Sequence, residues 1–303
     1  LELISIYGLK KTLQKIEGMF AFCLWDKKLK EFLLVRDRFG EKPLFYFLDN
    51  KNFVFGSEIK IITEFFKPKK IRIDNDSFNF FFSLGYIPAP KTIYKNLHKV
   101  LPSEIITIKD FKIKKREKYW SRNLSISKKN HSIIPIEKII EESVEKMMVA
   151  DVEVGCFLSG GIDSSLVASI MQKRSGRKIK TFSVGFKEKE FDESIYAKKI
   201  ADYLSTDHHE LILSVDEMLG KVSEIPKIYD EPFGDSSCLP TLVLSEFASR
   251  HVKVALSGDG GDEVFLGYNR YKFAKRFERA IFSNSYLVKR ILYLTHINAV
   301  IPY

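Results

Sequence analysis

Two short stretches carry residue types whose spacing could do chemistry. The first is Ser159-Gly160-Gly161-Ile162-Asp163-Ser164-Ser165. Its glycines let backbone approach an anion closely, and Ser159, Ser164 and Ser165 add hydroxyl donors. If a helix starts here, its unpaired N–H groups and its dipole add positive potential. Such a turn suits phosphate or pyrophosphate. It has neither the G-x-x-x-x-G-K-[ST] nor the G-x-G-x-x-G spacing. Asp163 would repel a bare phosphate, and a bridging Mg²⁺ removes that conflict because hard carboxylate oxygens suit it. The second stretch is Ser257-Gly258-Asp259-Gly260-Gly261-Asp262-Glu263. Acidic side chains this close need a cation or a basic group to relieve them. The bland alternatives are a Gly/Ser-rich turn and a solvated acidic turn that bind nothing. They are weakened because both stretches directly follow short apolar runs.

Those runs belong to an alternating pattern. Residues 133–149 read as a helix, 152–158 as a buried strand, 163–173 as a helix and 178–186 as a strand. A helix over 192–204, a strand over 208–213, a helix over 236–250 and a strand over 252–257 follow. Strands alternating with helices predict an α/β fold with a doubly wound parallel sheet. Open sheets of this kind bind ligands at the carboxyl ends of their strands, where both loops fall. Upstream the period differs. Residues 1–16 read as one helix, then 18–26, 30–37, 43–49 and 52–57 as an antiparallel meander, and Ser57 as the cap of a following helix. Residues 67–132 read as a connector. Asp76 would cap a short helix through Phe82, and Pro88, Pro90 and Pro102 interrupt regular structure. Residues 105–108 and 111–120 would form a basic hairpin, and 121–132 a polar linker. The expected domains are therefore 1–66, 67–132 and 133–303.

The chain has 303 residues, 45% apolar and 29% charged, which is ordinary globular composition with room for about two domains. Three cysteines, an odd number, exclude a disulfide framework. No apolar run approaches the ~18 residues of a membrane-spanning helix, and no signal-peptide pattern opens the chain. A cytoplasmic, reducing setting is expected. The net charge of +10 could suggest a polyanion partner. Nine Lys/Arg fall within residues 109–130, against Asp110 and Glu117. A solvated surface explains them, no nucleic-acid motif is present, and neither a nucleic-acid nor a membrane partner is expected. The chain opens on Leu1 and stops at Tyr303 after an apolar and basic stretch, as expected of a piece cut at both ends.

The SGGIDSS stretch resembles the PP-loop ATP pyrophosphatase signature. Together with 257–271 (SGDGGDEVFLGYNRY), 181–186 (TFSVGF) and 229–237 (YDEPFGDSS), it resembles the synthetase domain of the glutamine-dependent asparagine synthetase family. Residues 18–26, 36–46 (RDRFGEKPLFY) and 55–62 (FGSEIKII) resemble the later half of that family's glutaminase domain. The resemblance implies an adenine-nucleotide α-hydrolase-like sheet preceded by part of an α+β N-terminal-nucleophile (Ntn) hydrolase sandwich. It implies ATP and Mg²⁺ as cofactors, and aspartate with glutamine or ammonia as small-molecule substrates. Aspartate would be amidated through a β-aspartyl-AMP intermediate, with AMP and pyrophosphate released. By position, Leu158, Val184, Ser257 and Gly258 match the family's ATP contacts, beside Ser159, Gly160, Gly161, Asp163, Ser164 and Ser165 of the loop. Asp163 and Asp262 match its Mg²⁺–pyrophosphate carboxylates. Asp259 matches the family's catalytic acidic residue tied to forming the adenylate and accepting the ammonia proton. A homodimer is left open.

Departures from the family pattern are equally specific. Its glutaminase uses an N-terminal Cys, whereas residue 1 here is Leu. Cys23 and Cys156 lie in strands and read as core, and Cys238 approaches the cleft without a catalytic role. No glutaminase nucleophile is expected, so this piece should not hydrolyse glutamine. The acidic loop reads SGDGGDE where relatives often have SGEGADE. The stretch 231–240 (EPFGDSSCLP) also occurs in relatives that amidate other carboxylates, including sugar acids of surface polysaccharides, which is the alternative function. A non-catalytic remnant is a further reading. A tRNA-thiolating PP-loop enzyme would need sulfur-handling cysteines that are not arranged here. His208-His209 could suggest a metal pair, but adjacent strand residues face opposite ways. Arg36, Arg38 and Lys42 are expected to organise a tight turn, and 273–294 to be a truncated helix.

Overall fold

The computed structural model describes residues 1–66, 71–121, 135–188, 190, 192–271, 273 and 274. The chain divides into two compact units, Leu1–His131 with Gly220–Leu239, and Ser132–Leu219 with Pro240–Tyr303.

The first unit opens with α1 (Glu2–Tyr7) and α2 (Leu9–Lys15). The single helix expected over 1–16 is broken at Gly8, whose φ of 76° is a left-handed conformation that helix interiors exclude. Next come β1 (Ala21–Asp26), β2 (Glu31–Arg36), β3 (Phe45–Leu48), β4 (Phe53–Gly56), α3 (Ile59–Phe66) and α4 (Asn75–Leu84). Three strands complete the series, β5 (Leu97–Lys99), β6 (Glu104–Lys109) and β7 (Lys112–Lys118). They form two antiparallel sheets, ordered β1-β2-β6-β7 and β4-β3-β5.

Side-chain alternation along these strands sorts them into layers. Leu34, Ile106 and Ile108 of one sheet pack with Tyr46 of the other in a single apolar cluster. Val35 and Ile105, one residue over, meet Leu13 of α2 on the outer face. Phe47 and Leu97 likewise meet Ile59, Ile62 and Phe66 of α3 on the opposite outer face. The order helix, sheet, sheet, helix is that of the expected sandwich. Residues 97–118, expected within a connector, supply one strand to one sheet and two to the other. The basic hairpin is β6–β7. Its outer strand β7 is a Lys-rich, solvent-facing edge, a composition that discourages edge-to-edge pairing. Arg116 pairs with Glu104 at 3.0 Å and Lys115 with Glu117 at 3.1 Å.

Two expected caps differ. Asp74 caps α4, accepting from Ser77 N at 3.2 Å, and Asp76 sits in the first turn. The first turn of α3 is capped by Asp230, whose carboxylate accepts from Ile59 N at 2.6 Å. Glu231 accepts from Ile93 N at 3.2 Å and pairs with Lys99. These bonds fasten residues 220–239 into the first unit.

The second unit holds α5 (Ile136–Met147), β8 (Val154–Phe157), α6 (Ile162–Ser175), β9 (Lys180–Phe186), α7 (Ser194–Leu204), β10 (Asp207–Leu213) and α8 (Val215–Leu219). After α9 (Ile225–Ile228), which belongs with the first unit, come α10 (Cys238–Ser249), β11 (Val254–Leu256) and α11 (Gly261–Phe265). The four strands are parallel, in the order β10-β9-β8-β11. One face packs Cys156 and Leu158 against Val144 of α5, Ala168 and Met171 of α6, and Ala197 and Ala201 of α7. The other packs Phe182 against Ala248 of α10 and Val252. The sheet is thus doubly wound. The chain runs outward from β8 through β9 to β10, then returns to β8's other side at β11. That reversal is a topological switch point, which opens a crevice between the carboxyl ends of β8 and β11. The expected linker over 121–132 and helix over 273–294 lie almost entirely outside the described residues.

Candidate functional site

Both loops end at this crevice. Residues 159–161 leave β8 and enter α6, whose Ncap is Gly161 with no side-chain cap. The first turn of α6 therefore keeps free N–H groups, the feature that makes a helix N-terminus an anion site. The loop is held by its own hydroxyls. Ser159 Oγ and Ser164 Oγ lie 2.9 Å apart, and Ser159 N donates to Ser164 Oγ at 3.2 Å. Gly160 turns the chain with φ 80°, and a Cβ there would stand 2.6 Å from Tyr196 Cβ and 2.7 Å from Ala197 N. Only glycine meets both demands.

The second loop leaves β11 and touches the first. A Cβ on Gly258 would stand 2.7 Å from Ser164 N, and one on Gly261 would clash with the Asp163 carboxylate. Asp259 is exposed and accepts from Ser257 Oγ at 2.9 Å. Glu263 accepts from Tyr268 OH at 3.0 Å, and that bond to a carboxylate raises the Tyr268 pKa.

Between the loops lies a hollow of about 760 Å³, within the usual range for small-ligand sites. Of the residues expected from sequence, Leu158, Ser159, Gly161, Asp163, Ser164, Val184, Ser257, Gly258, Asp259 and Asp262 all line it. Gly160 and Ser165 do not. Gly160 packs the loop on α7, and Ser165 Oγ is buried with no hydrogen-bond partner. Sequence reasoning passed over Ser183, Glu193, Ser194, Pro240, Thr241 and Phe265 as lining residues. Ser183 sits inside the quoted TFSVGF run, where a second hydroxyl two residues after Thr181, in the middle of a buried strand, was the available signal. The others enter through helix packing and have no local signature.

The lining includes Asp163, Glu193, Asp259 and Asp262 and no described Lys or Arg. Among the described residues no group of three His, Cys, Asp or Glu could hold a metal unaided. Asp163 and Asp262 both line the hollow, and each carries a carboxylate of the hard-oxygen type. That suits Mg²⁺, which commonly takes one or two carboxylates and completes its shell with water and substrate phosphates.

A sequence model described as asparagine synthase matches residues 135–298, and one described as a glutamine amidotransferase domain matches residues 1–120. The first covers more than half of the chain. The chain belongs to the asparagine synthase family. Among curated relatives, a putative glutamine-hydrolysing asparagine synthetase of Methanocaldococcus jannaschii is 41% identical over 263 residues, covering 84% of this chain and 50% of the relative. Glutamine-hydrolysing asparagine synthetase 1 of Bacillus subtilis is 34% identical over 298 residues, covering 97% of this chain and 46% of the relative. Amidase chyE of Penicillium rubens is 28% identical over 290 residues, covering 88% and 42%. The chain spans about half the length of the curated relatives it matches.

Other residues of this asparagine synthase family chain have structural tasks. Burial pushes the Cys23 thiol up to about 11 and the Cys156 thiol up to about 12, so neither offers a thiolate. Cys238 is half-buried, and its carbonyl accepts from Tyr229 OH at 3.3 Å. Arg36 donates to the carbonyls of Gly40 and Val100, each at 2.6 Å, and of Lys42 at 3.0 Å. Buried Asp37 accepts from Glu41 N at 3.0 Å and Lys42 N at 2.9 Å. Arg36 and Asp37 thus organise the turn at 36–42, whereas Arg38 donates to the carbonyls of Gln14 and Ile16 in and after α2, at 3.0 and 3.3 Å, and Lys42 takes part through its backbone. His209 stacks on Phe182, with ring centroids 5.4 Å apart. His208 lies on the other face, which removes a metal pair. No helix among the described residues is long and apolar enough to cross a membrane.

Proposed function

We propose that this chain carries the ATP-dependent adenylating site of a glutamine-dependent asparagine synthetase. The carrying observation is the contact of the two loops around one hollow, with anion-binding amides on one and carboxylates on the other. The names of the relatives supply glutamine as nitrogen donor and asparagine as product, which makes the chain part of a carbon–nitrogen ligase.

ATP would enter with its phosphates at the first turn of α6 and the Ser159 and Ser164 hydroxyls. An aspartate side-chain oxygen attacks the α-phosphorus. The bond to the β-phosphate oxygen breaks, which leaves β-aspartyl-AMP and pyrophosphate. Ammonia then attacks the acyl carbon, AMP departs with the C–O electron pair, and Asp259 takes the ammonia proton. The α6 amides, fixed before reaction, stabilise charge that grows on the departing pyrophosphate. Asp163 and Asp262 would hold Mg²⁺, which when bound neutralises phosphate charge and orients the leaving group. Gly258 and Gly261 hold the loops close enough for both to act on one ligand.

A second reading, amidation of a different carboxylate such as a sugar acid, is favoured by two observations. The family includes a relative named as an amidase. The described lining also holds no basic side chain to pair with the second carboxylate of aspartate. Trapping the acyl-adenylate as its hydroxamate, with aspartate against uronic acids, separates the two. Aspartyl hydroxamate supports the first reading, and its absence beside a uronyl product supports the second.

A further inference from the structure

His208 is a half-buried imidazole with both ring nitrogens engaged. Nδ1 lies 2.9 Å from Thr181 Oγ1, and Nε2 lies 3.2 Å from Ser183 Oγ. Thr181 Oγ1 in turn lies 2.9 Å from Thr206 Oγ1. This polar chain lies on the sheet face that packs the apolar cluster of Cys156, Leu158, Ala197 and Ala201. Thr181 is fully buried and Ser183 is 3% exposed, so packing alone would favour apolar residues here. Its terminal hydroxyl, Ser183, lines the hollow.

The place of that hydroxyl follows from the strand order. The anion-binding turn lies at β8 and the acidic loop at β11, on one side of β8. Ser183 and Val184 lie on β9, on its other side. A nucleotide with its phosphates between β8 and β11 directs its nucleoside toward β9. We infer that His208 is a positioning residue for the nucleoside end of the ligand, acting by fixing the Ser183 hydroxyl. A neutral imidazole accepts at one nitrogen and donates at the other. It therefore leaves Ser183 a defined orientation toward the hollow. The inference rests on the nucleotide reading proposed above and assigns that site's nucleoside contact.

The test compares Mg²⁺–ATP with Mg²⁺–tripolyphosphate, which has no nucleoside, by titration calorimetry on the whole chain. Asn at 208 keeps a group near Nδ1 and loses the reach to Ser183, whereas Gln keeps a group near Nε2. Ser183→Ala and His208→Asn should each weaken ATP binding about 3- to 10-fold, the range of one hydrogen bond. The double variant should add less than twofold to the weaker single, because both remove one contact. His208→Gln should stay within twofold of the unsubstituted chain. Tripolyphosphate affinity should move less than twofold throughout. Should His208→Asn fail to fold by circular dichroism, Ser183→Ala and His208→Gln carry the same comparison. ATP affinity unchanged in Ser183→Ala, or ATP and tripolyphosphate weakened together, overturns the inference and leaves the nucleotide site standing. A folded, unsubstituted chain that binds no ATP overturns the nucleotide reading itself, and this inference with it.

Discussion

Asp163 carries two tasks within one short side chain. Its carboxylate packs on the backbone of Gly261 and presents oxygens to the hollow. Asp163→Asn keeps the shape and removes the charge, so the fold should survive. Pyrophosphate release from ATP, measured with aspartate and ammonia, should fall at least ~100-fold, because metal-assisted charge neutralisation supplies several kcal/mol. Turnover retained within a few-fold would show that this carboxylate does not face the reacting phosphates. His208 gives a second prediction at this scale. Burial lowers its pKa, as does Lys198, while Glu210 and Asp202 oppose the shift and neighbouring His209 adds to the lowering. The folded state therefore resists protonation more than the unfolded chain does. Stability should be full above the ordinary value of about 6.5 and should fall as pH drops through it toward the folded-state pKa. Urea midpoints at pH 7.5 and 5.5 should show this loss, and His208→Gln should flatten that part of the profile. A His208→Gln profile as steep as the parent's would assign the loss to other groups.

At the scale of elements, glycines set how closely loops and helices approach. Gly160→Ala combines left-handed strain with a backbone clash against α7. It should cost about 2 kcal/mol or more, seen as a lower denaturant midpoint. A stability change under 0.5 kcal/mol would mean that α7 yields freely. Gly258→Ala should instead act on function. Its Cβ would meet Ser164 N, so the loops must part, and ATP affinity should drop about 10-fold or more for a loss of at least 1.4 kcal/mol. Undiminished affinity would mean that loop contact is dispensable. Most of the alternating half of the chain was legible because its strands are short apolar runs and its longer helices fill the stretches between them, while the four- and five-residue helices α8, α9 and α11 were too short to show a period. Both loops were legible because their chemistry is contiguous in sequence. What stayed hidden depends on distant partners. Asp230 caps α3 across 171 positions. The strands over 97–118 follow a proline-rich stretch that masked their membership in the sandwich. Ser183 gained meaning only when His208, 25 positions later, reached its hydroxyl.

At the scale of the whole chain, the clearest surprise is the segment 220–239. By sequence it lies inside the asparagine synthase match, yet its bonds belong to the first unit. Asp230 joins Ile59 N and also pairs with Lys60 at 3.5 Å. Asp230→Ala should cost the first unit about 1–2 kcal/mol, as loss of a helix cap does, while Asp230→Asn should cost less. Equal denaturation curves for all three would show that this strap adds nothing to stability. The chain's net charge of +10 sits beside a ligand hollow lined by carboxylates, so the surface excess does not describe the site. The central claim is that the turns after β8 and β11 jointly grip a magnesium nucleotide. A crystal structure of the chain with Mg²⁺ and α,β-methylene ATP, whose scissile bridge is blocked, tests it most directly. The account predicts triphosphate density at the first turn of α6, metal between Asp163 and Asp262, and the nucleoside against Ser183 and Val184. A nucleotide bound elsewhere, or an empty hollow at saturating ligand, would contradict it.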